Sequence, residues 1–275
     1  QQVSSAASDV YKRQIYNLNE KQLELIDADT GQLSEVFELE TDRIISGVSV
    51  GYNSFFYVDA DGIVYAHDAN SGDLKWKKEL EDVVLSKILI TSTQAFLQTS
   101  SDVLYGMDLQ TGETKWQKQA QAPLLSIRGT ASPIIYEGLI FTSFSNGRLA
   151  AVRAVDGIQL WEKPISRLKG STELEKLMDG DSNAITINEE VFVANYNGSL
   201  TRFNIRSGEK VFSVDHSTSK PILFNKGKIL SINSDEEIIG FNATNGTEAW
   251  RSQKFKNRGL TLSLIHISEP TRHTR

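Results

Sequence analysis

No cysteine occurs anywhere in the 275 residues, so disulfides, thiolate metal sites and cysteine nucleophiles are excluded together. Histidine is nearly as scarce, with four copies. Positive charge is in deficit. Twenty-nine Lys and Arg face 35 Asp and Glu, giving a net charge of −6 and a pI near 5.4, which argues against nucleic acid or an anionic membrane surface as the main partner. No apolar run approaches the roughly 20 residues of a membrane-crossing helix, and no basic-then-apolar leader opens the chain. What is present, 39% hydrophobic and 23% charged residues, is the composition of a globular protein with a sizeable core. Protein or small-molecule partners fit it.

The two ends share no pattern with the rest. "SSAASDVYKRQ" (Ser4 to Gln14) and "LSLIHISEPTRH" (Leu262 to His273) resemble translated read-through of sequencing adapters. Residues 1–14 and 262–275 are therefore expected to lie outside the fold, leaving 15–261 as a fragment open at both ends. His266 and His273 fall outside with them. His67 and His216 remain, isolated in sequence and in no metal-ligand spacing, and are expected as turn or surface residues.

What fills 15–261 is a repeat. "YAHDANSGDLKWKK" (from Tyr65), "YGMDLQTGETKWQK" (from Tyr105), "AAVRAVDGIQLWEK" (from Ala150), "TRFNIRSGEKVFSV" (from Thr201) and "IGFNATNGTEAWRS" (from Ile239) align, with a worn copy, "ELIDADTGQLSEVF", from Glu24. Their glycines, Gly31, Gly72, Gly112, Gly157, Gly208 and Gly246, are spaced by 41, 40, 45, 51 and 38 residues. All four tryptophans, Trp76, Trp116, Trp161 and Trp250, stand four residues after such a glycine, with Phe212 in the fifth copy and Glu35 in the first. The glycine suits a turn needing positive φ, and Asp27, Asp68, Asp108, Asn204 and Asn242, four residues before it, can bond the turn backbone; Arg153 is the exception. The aromatic residue is expected to pack one unit on the next, a structural role and not a cofactor box.

Ahead of each such turn lies a second hairpin. Asp61-Gly62, Asn146-Gly147 and Asn197-Gly198 sit between β-branched and aromatic runs, as in "SFFYVDADGIVYAHDA". "DVVLSKILIT" and "ASPIIYEG" add one more apolar strand per repeat. Four strands per forty residues without a helical period predict an all-β chain, a β-propeller of four-stranded blades with about six repeats present. The longer spacings of 45 and 51 predict insertions, and "STELEKLM" within the second has a capping box suited to a short helix.

The repeat φ-[Asp/Asn]-Ala-x-[Ser/Thr]-Gly-x-x-x-Trp resembles that of the pyrroloquinoline-quinone propellers. Two longer stretches narrow the likeness. "LLSIRGTASPIIYEG" (from Leu124) and "ISRLKGSTELEKLMDGDSNAITINEEVFVANYNGSLTRFNIRSG" (from Ile165) resemble the BamB family of outer-membrane β-barrel assembly lipoproteins. Ile127 where the family pattern has leucine, Gly180 between the aspartates, and Phe212 for a tryptophan are departures. The resemblance implies an eight-bladed, lipid-anchored scaffold at the periplasmic face of the bacterial outer membrane, whose signal and lipidated cysteine would lie outside this sequence. It implies as partners the periplasmic domains of the barrel subunit BamA, and unfolded outer-membrane proteins.

The competing reading is a quinone-dependent dehydrogenase-like propeller, with a ligand-binding propeller as a further class. The adjacent cysteine pair of many such dehydrogenases is impossible here, and "DADG" (Asp59 to Gly62) and "DGD" (Asp179 to Asp181) supply two carboxylates each, too few for a calcium loop. The expectation is a non-catalytic protein without cofactor or metal. The resemblance places partner binding at Leu125, Ile127 and Arg128, with Asp179 and Asp181 as an acidic edge. Arginine and aliphatic anchors suit a docking surface, and the same groups could instead pin the two loops together in a salt bridge.

Overall fold

The computed structural model describes residues 7–9, 14–19, 21–120, 131–166, 183–254 and 256. Among them the regular structure is strand alone, in six four-stranded sheets. They span residues 7–38, 49–79, 89–119, 134–164, 185–215 and 223–252 and are here the first to the sixth. Each is a meander with its strands in sequence order, the blade of a β-propeller. In the first sheet Ala7–Asp9 pairs antiparallel with Gln14–Tyr16, so the boundary drawn at residue 15 falls inside the strand Gln14–Asn19.

The chain divides into two compact units. One contains the first three sheets, the other the fifth and sixth, and the segments of the fourth are divided between them. In the first unit, the opening strands of successive sheets lie side by side.

Sequence explains why the strands of one sheet differ. In the second sheet the second strand, Ser54–Val58 (SFFYV), is mostly apolar and is buried along its length because both faces are covered. Phe55 and Tyr57 join Leu23, Leu25 and Leu39 in one layer, while Phe56 and Val58 join Trp76, Leu97 and Met107 in the next. In the second unit Phe192, Leu200, Ile229 and Phe241 form a third such layer. The fourth strand is solvated, and in Leu74–Glu79 (LKWKKE) only Trp76 is buried.

The repeat turn joins the third and fourth strands. Gly112 has φ of 71°, its N–H donates to the Asp108 carbonyl at 3.0 Å, and the Asp108 carboxylate accepts from the amides of Gln110 and Thr111 at 2.9 and 3.0 Å. Lys115 and these amides hold the Asp108 carboxyl near a pKa of about 2. In the fourth sheet Arg153 occupies this position. There the carboxylate comes from Asp156, which pairs with Arg153 and accepts the Ile158 amide at 3.2 Å. Beyond each turn a bulge sets two fourth-strand residues against one, immediately before the aromatic position.

The aromatic rings do more than fill space. A Cβ on Gly112 would stand 2.5 Å from the Trp76 ring, one on Gly157 2.6 Å from Trp116, and one on Gly208 2.7 Å from Trp161. Each indole also donates to the backbone of the turn it covers, Trp76 to the Leu109 carbonyl, Trp116 to Ala154 and Trp161 to Ile205, at 2.9–3.0 Å. Phe212 lies on Gly246 in the same way. In the worn first copy the ring against Gly72 is Phe37, two residues beyond Glu35 on the same face of the strand. Trp250 covers its own strand neighbour Gly240 and is 42% exposed.

Candidate functional site

The expected partner-binding residues all fall in fourth-to-first-strand connections. The described sheets are linked by residues 39–48, 80–88, 120–133, 165–184 and 216–222, and the third and fourth of these are the longest. Leu125, Ile127 and Arg128 belong to 120–133, and Asp179 and Asp181 to 165–184. These five residues, with the helix expected at "STELEKLM", lie outside the described residues. The stems that carry the two connections are described.

Each stem is tied to the second hairpin of its own sheet. The Ala120 amide donates to the Asp102 carbonyl at 3.1 Å, and that of Ile165 to Gly147 at 3.0 Å. On the returning side of 120–133, Ser132 Oγ accepts the Lys87 amide at 3.1 Å, and Ala131 is buried. The entry of 165–184 is more heavily fixed. The Ile165 carbonyl accepts Thr201 Oγ1 at 2.8 Å and Lys210 Nζ at 3.4 Å, and Ser166 Oγ donates to Asn195 Oδ1 at 2.6 Å.

Asn195 is fully enclosed, and its Oδ1 also accepts the Ser199 amide at 3.1 Å. Its backbone carbonyl accepts the Thr218 amide at 3.3 Å, and it forms a parallel bridge with Ser217. Gly198 permits this arrangement. A Cβ there would stand 2.1 Å from Asn195 Oδ1 and 2.4 Å from Ser166 Oγ. The adjacent Asn197 takes φ of 54°, and Tyr196 beside it projects into solvent. The Asn-Gly pair legible in "NYNG" thus turns the hairpin and seats the root of the insertion.

The equivalent turn in the second sheet clarifies "DADG". Asp59 is buried, and its carboxylate accepts the Asp61 and Ile63 amides and the Tyr65 hydroxyl at 2.9–3.1 Å. Asp61 faces outward in an ion pair with Arg43. The motif is a hairpin turn, its first carboxylate spent on backbone and phenol. Among the described residues no group of three or more His, Asp or Glu could hold a metal ion.

The two histidines require a correction, because both are interior. His67 lies on Ile63–Asp68, stacked on Phe55 with centroids 4.8 Å apart. Its Nδ1 faces the Gly72 carbonyl at 2.9 Å, which fixes the hydrogen on Nδ1 and leaves Nε2, 3.1 Å from the Tyr57 oxygen, to accept from that hydroxyl. Burial pushes its pKa down and that of Tyr57 up. His216 follows the fifth sheet, with Nε2 2.7 Å from Ser231 Oγ. Burial, aided by the Arg251 charge, lowers its pKa to about 4. Neither histidine carries a sequence signal of burial, since that burial comes from residues on neighbouring strands, Phe55 and Tyr57 for His67 and Ser231 for His216.

A sequence profile for the family described as outer membrane protein assembly factor BamB matches residues 19–263. The assembly factor BamB of Escherichia coli (strain K12) is 30% identical over 230 residues, which cover 84% of this chain and 59% of that protein. That of Yersinia pestis is 26% identical over 251 residues, covering 88% and 64%. The chain thus spans less than two thirds of the length of these relatives. Among solved structures, BamB from Moraxella catarrhalis superposes with a TM-score of 0.84 at 22% identity, over 94% of this chain and 77% of that one. A europium-containing methanol dehydrogenase superposes at 0.72 and 11% identity, covering 87% and 69%. At these identities both likenesses are of fold alone.

Proposed function

The chain belongs to the family of outer membrane protein assembly factor BamB, and on that premise we propose that it is a non-catalytic scaffold of the β-barrel assembly machinery, acting at the periplasmic face of the outer membrane. The observation that carries this reading is the family match itself, which runs from the end of the first sheet's second strand through the other five sheets and both long connections. The names of the relatives place them in outer-membrane assembly. Likeness to a methanol dehydrogenase supports the quinone-enzyme reading only at the level of fold, which does not carry activity.

The proposed partner is the periplasmic part of BamA, with unfolded outer-membrane proteins as passing clients. The contact is assigned to Leu125, Ile127 and Arg128, with Asp179 and Asp181 beside them. Support comes from the stems. Rigid sheets present the two longest connections from topologically equivalent positions, and binding loops held on a fixed scaffold are the common arrangement for recognition. An arginine flanked by aliphatic side chains provides a charge-assisted anchor within an apolar contact.

Capture of purified BamA periplasmic domains by the Arg128→Glu chain tests the assignment. Binding reduced by about tenfold or more is expected for a central anchor. Undiminished capture, in a chain with unchanged melting temperature, would remove Arg128 from the surface.

A further inference from the structure

The six sheets share one cross-strand pair of their third and fourth strands, and in five of them a member of that pair is tied within its own sheet. Glu24, opposite Val36, accepts from Asn17 and Asn19 at 2.8 and 3.0 Å. Tyr65, opposite Lys77, donates to Asp59 at 3.1 Å. Glu162, opposite Ala150, accepts from Arg148 at 2.7 Å. Thr201 and Ser213 bond each other at 2.8 Å. Arg251, opposite Ile239, donates to Glu237 and Glu248 at 2.6 and 2.7 Å. The third sheet departs from this. Its pair is Tyr105 and Gln117, and neither side chain has a hydrogen-bond partner among the described residues.

These two groups instead line a solvent-open cavity of about 500 Å³, together with Thr114, Gln119, Leu80 and Lys78. The pairings Tyr105 to Gln117 and Met107 to Thr114 set these positions on one face of the third sheet, so the cavity is walled by side chains on a face. Burial, with the nearby carboxylates of Glu81 and Asp82, keeps the Tyr105 phenol protonated and able to donate. The Gln117 amide offers one acceptor and two donors in a plane. Gln119 commits its Nε2 to the Ser101 carbonyl at 2.8 Å, which orients its amide.

That combination matches polyhydroxylated ligands. A planar amide meets a vicinal pair of hydroxyls with one donor and one acceptor, and an aromatic ring beside a leucine accepts the C–H face of a sugar ring. The volume lies in the range of small-ligand sites. Lys78 at the rim is accompanied by Glu79 and Glu81, so the field does not favour an anion. We propose that this cavity binds a short neutral saccharide, with Tyr105, Thr114 and Gln117 as its hydrogen-bonding groups. The site is distinct from the connections assigned to BamA and does not depend on that assignment.

Titration of the 15N-labelled chain with cellobiose, maltose and N,N′-diacetylchitobiose, each to about 50 mM, tests it. At least one should produce saturating shifts of the Gln117 and Gln119 side-chain amides. Gln117→Ala should weaken that binding about tenfold with the melting temperature unchanged. Tyr105→Phe, which keeps the ring and removes the hydroxyl, should weaken it in the same direction. Absence of saturation for all three sugars, or binding indifferent to both substitutions, would overturn the proposal. Saturation of these amides by an extended polar hexapeptide, with the sugars inert, would also overturn it by assigning the groove to peptide.

Discussion

The Trp76 ring lies directly on Gly112, so close that a Cβ on the glycine would meet Cε3 at 2.5 Å, while its Nε1 donates to the carbonyl of Leu109 in the same turn at 3.0 Å. One contact therefore combines apolar burial, a buried hydrogen bond and a backbone conformation open to glycine. Trp116 with Gly157 and Trp161 with Gly208 repeat it. The glycine in the sequence repeat is doubly required, by the turn it makes and by the ring it receives.

These two requirements can be separated. Gly31 and Gly112 have nearly the same φ, 69° and 71°, but a Cβ on Gly31 meets nothing within 4 Å. Gly31→Ala should cost about 1 kcal/mol, the strain of an alanine in the left-handed region. Gly112→Ala should cost about 1–3 kcal/mol more, because the indole must shift within a packed layer. Urea denaturation of the two variants decides the matter. Equal losses would mean that the ring contributes nothing to the glycine requirement.

Phe212 lacks an indole N–H, and the structure shows what replaces it. Arg202, directly opposite Phe212, donates to the Ala243 and Thr244 carbonyls at 3.2 and 2.7 Å; Ala243 is the position equivalent to Leu109. Arg202 is held by Glu190 at 2.6 Å and lies over the Phe192 ring. Where tryptophan is present, the opposite residue is Ala66, Gly106, Ala151 or Gly240. Arg202→Ala should destabilise the chain by about 2 kcal/mol, leaving a carboxylate and two carbonyls without their donor. Phe212→Trp added to Arg202→Ala should recover part of the loss. If thermal melts instead give additive or worsened losses, the two positions are not exchanging roles.

The repeat makes most of this fold legible in the sequence. The glycine, the acid before it and the tryptophan after it are local in sequence, and each reports a backbone need that a single residue type meets. The small residue beneath each tryptophan, ten positions earlier, was equally present in the text. It has meaning only once the strands are paired. The burial of His67 and His216 is hidden for the same reason, since it is set by Tyr57, Phe55 and Ser231 on neighbouring strands. Phe37 was hidden by a shift of two residues, which in a strand preserves the face. The two long connections are legible as insertions through spacing alone, whereas the partner contact proposed for them rests on resemblance.

The buried histidines give stability a defined dependence on pH. Both have folded pKa values below the ordinary 6.5, His216 at about 4, so folding favours their neutral forms. Their contribution is complete above about 6.5 and is lost as pH falls, for His216 down to about 4, by about 3 kcal/mol. Asp68 and Asp108, held near 2, lose theirs only below their ordinary value of 3.8. Urea midpoints should therefore fall steadily between about pH 6.5 and 4.5. His216→Gln, which does not titrate, should flatten this slope even if it lowers stability throughout. An unchanged slope in that variant would place the pH dependence elsewhere.

Gly198 connects the fold to the proposed partner surface. Its φ is not in the left-handed region, so alanine there is resisted only by what a Cβ would strike, Asn195 Oδ1 at 2.1 Å and Ser166 Oγ at 2.4 Å. Ser166 is the last described residue before the segment that carries Asp179 and Asp181. Gly198→Ala should break the Ser166 to Asn195 hydrogen bond and displace the root of the insertion, at a cost of about 2 kcal/mol. Capture of BamA periplasmic domains should then weaken, whereas Gly31→Ala, remote from the insertion in sequence, should bind normally at matched folded concentration. Equal binding by the two variants would mean that the fixed stem does not position the contact, and that the loop finds its partner without the scaffold's help.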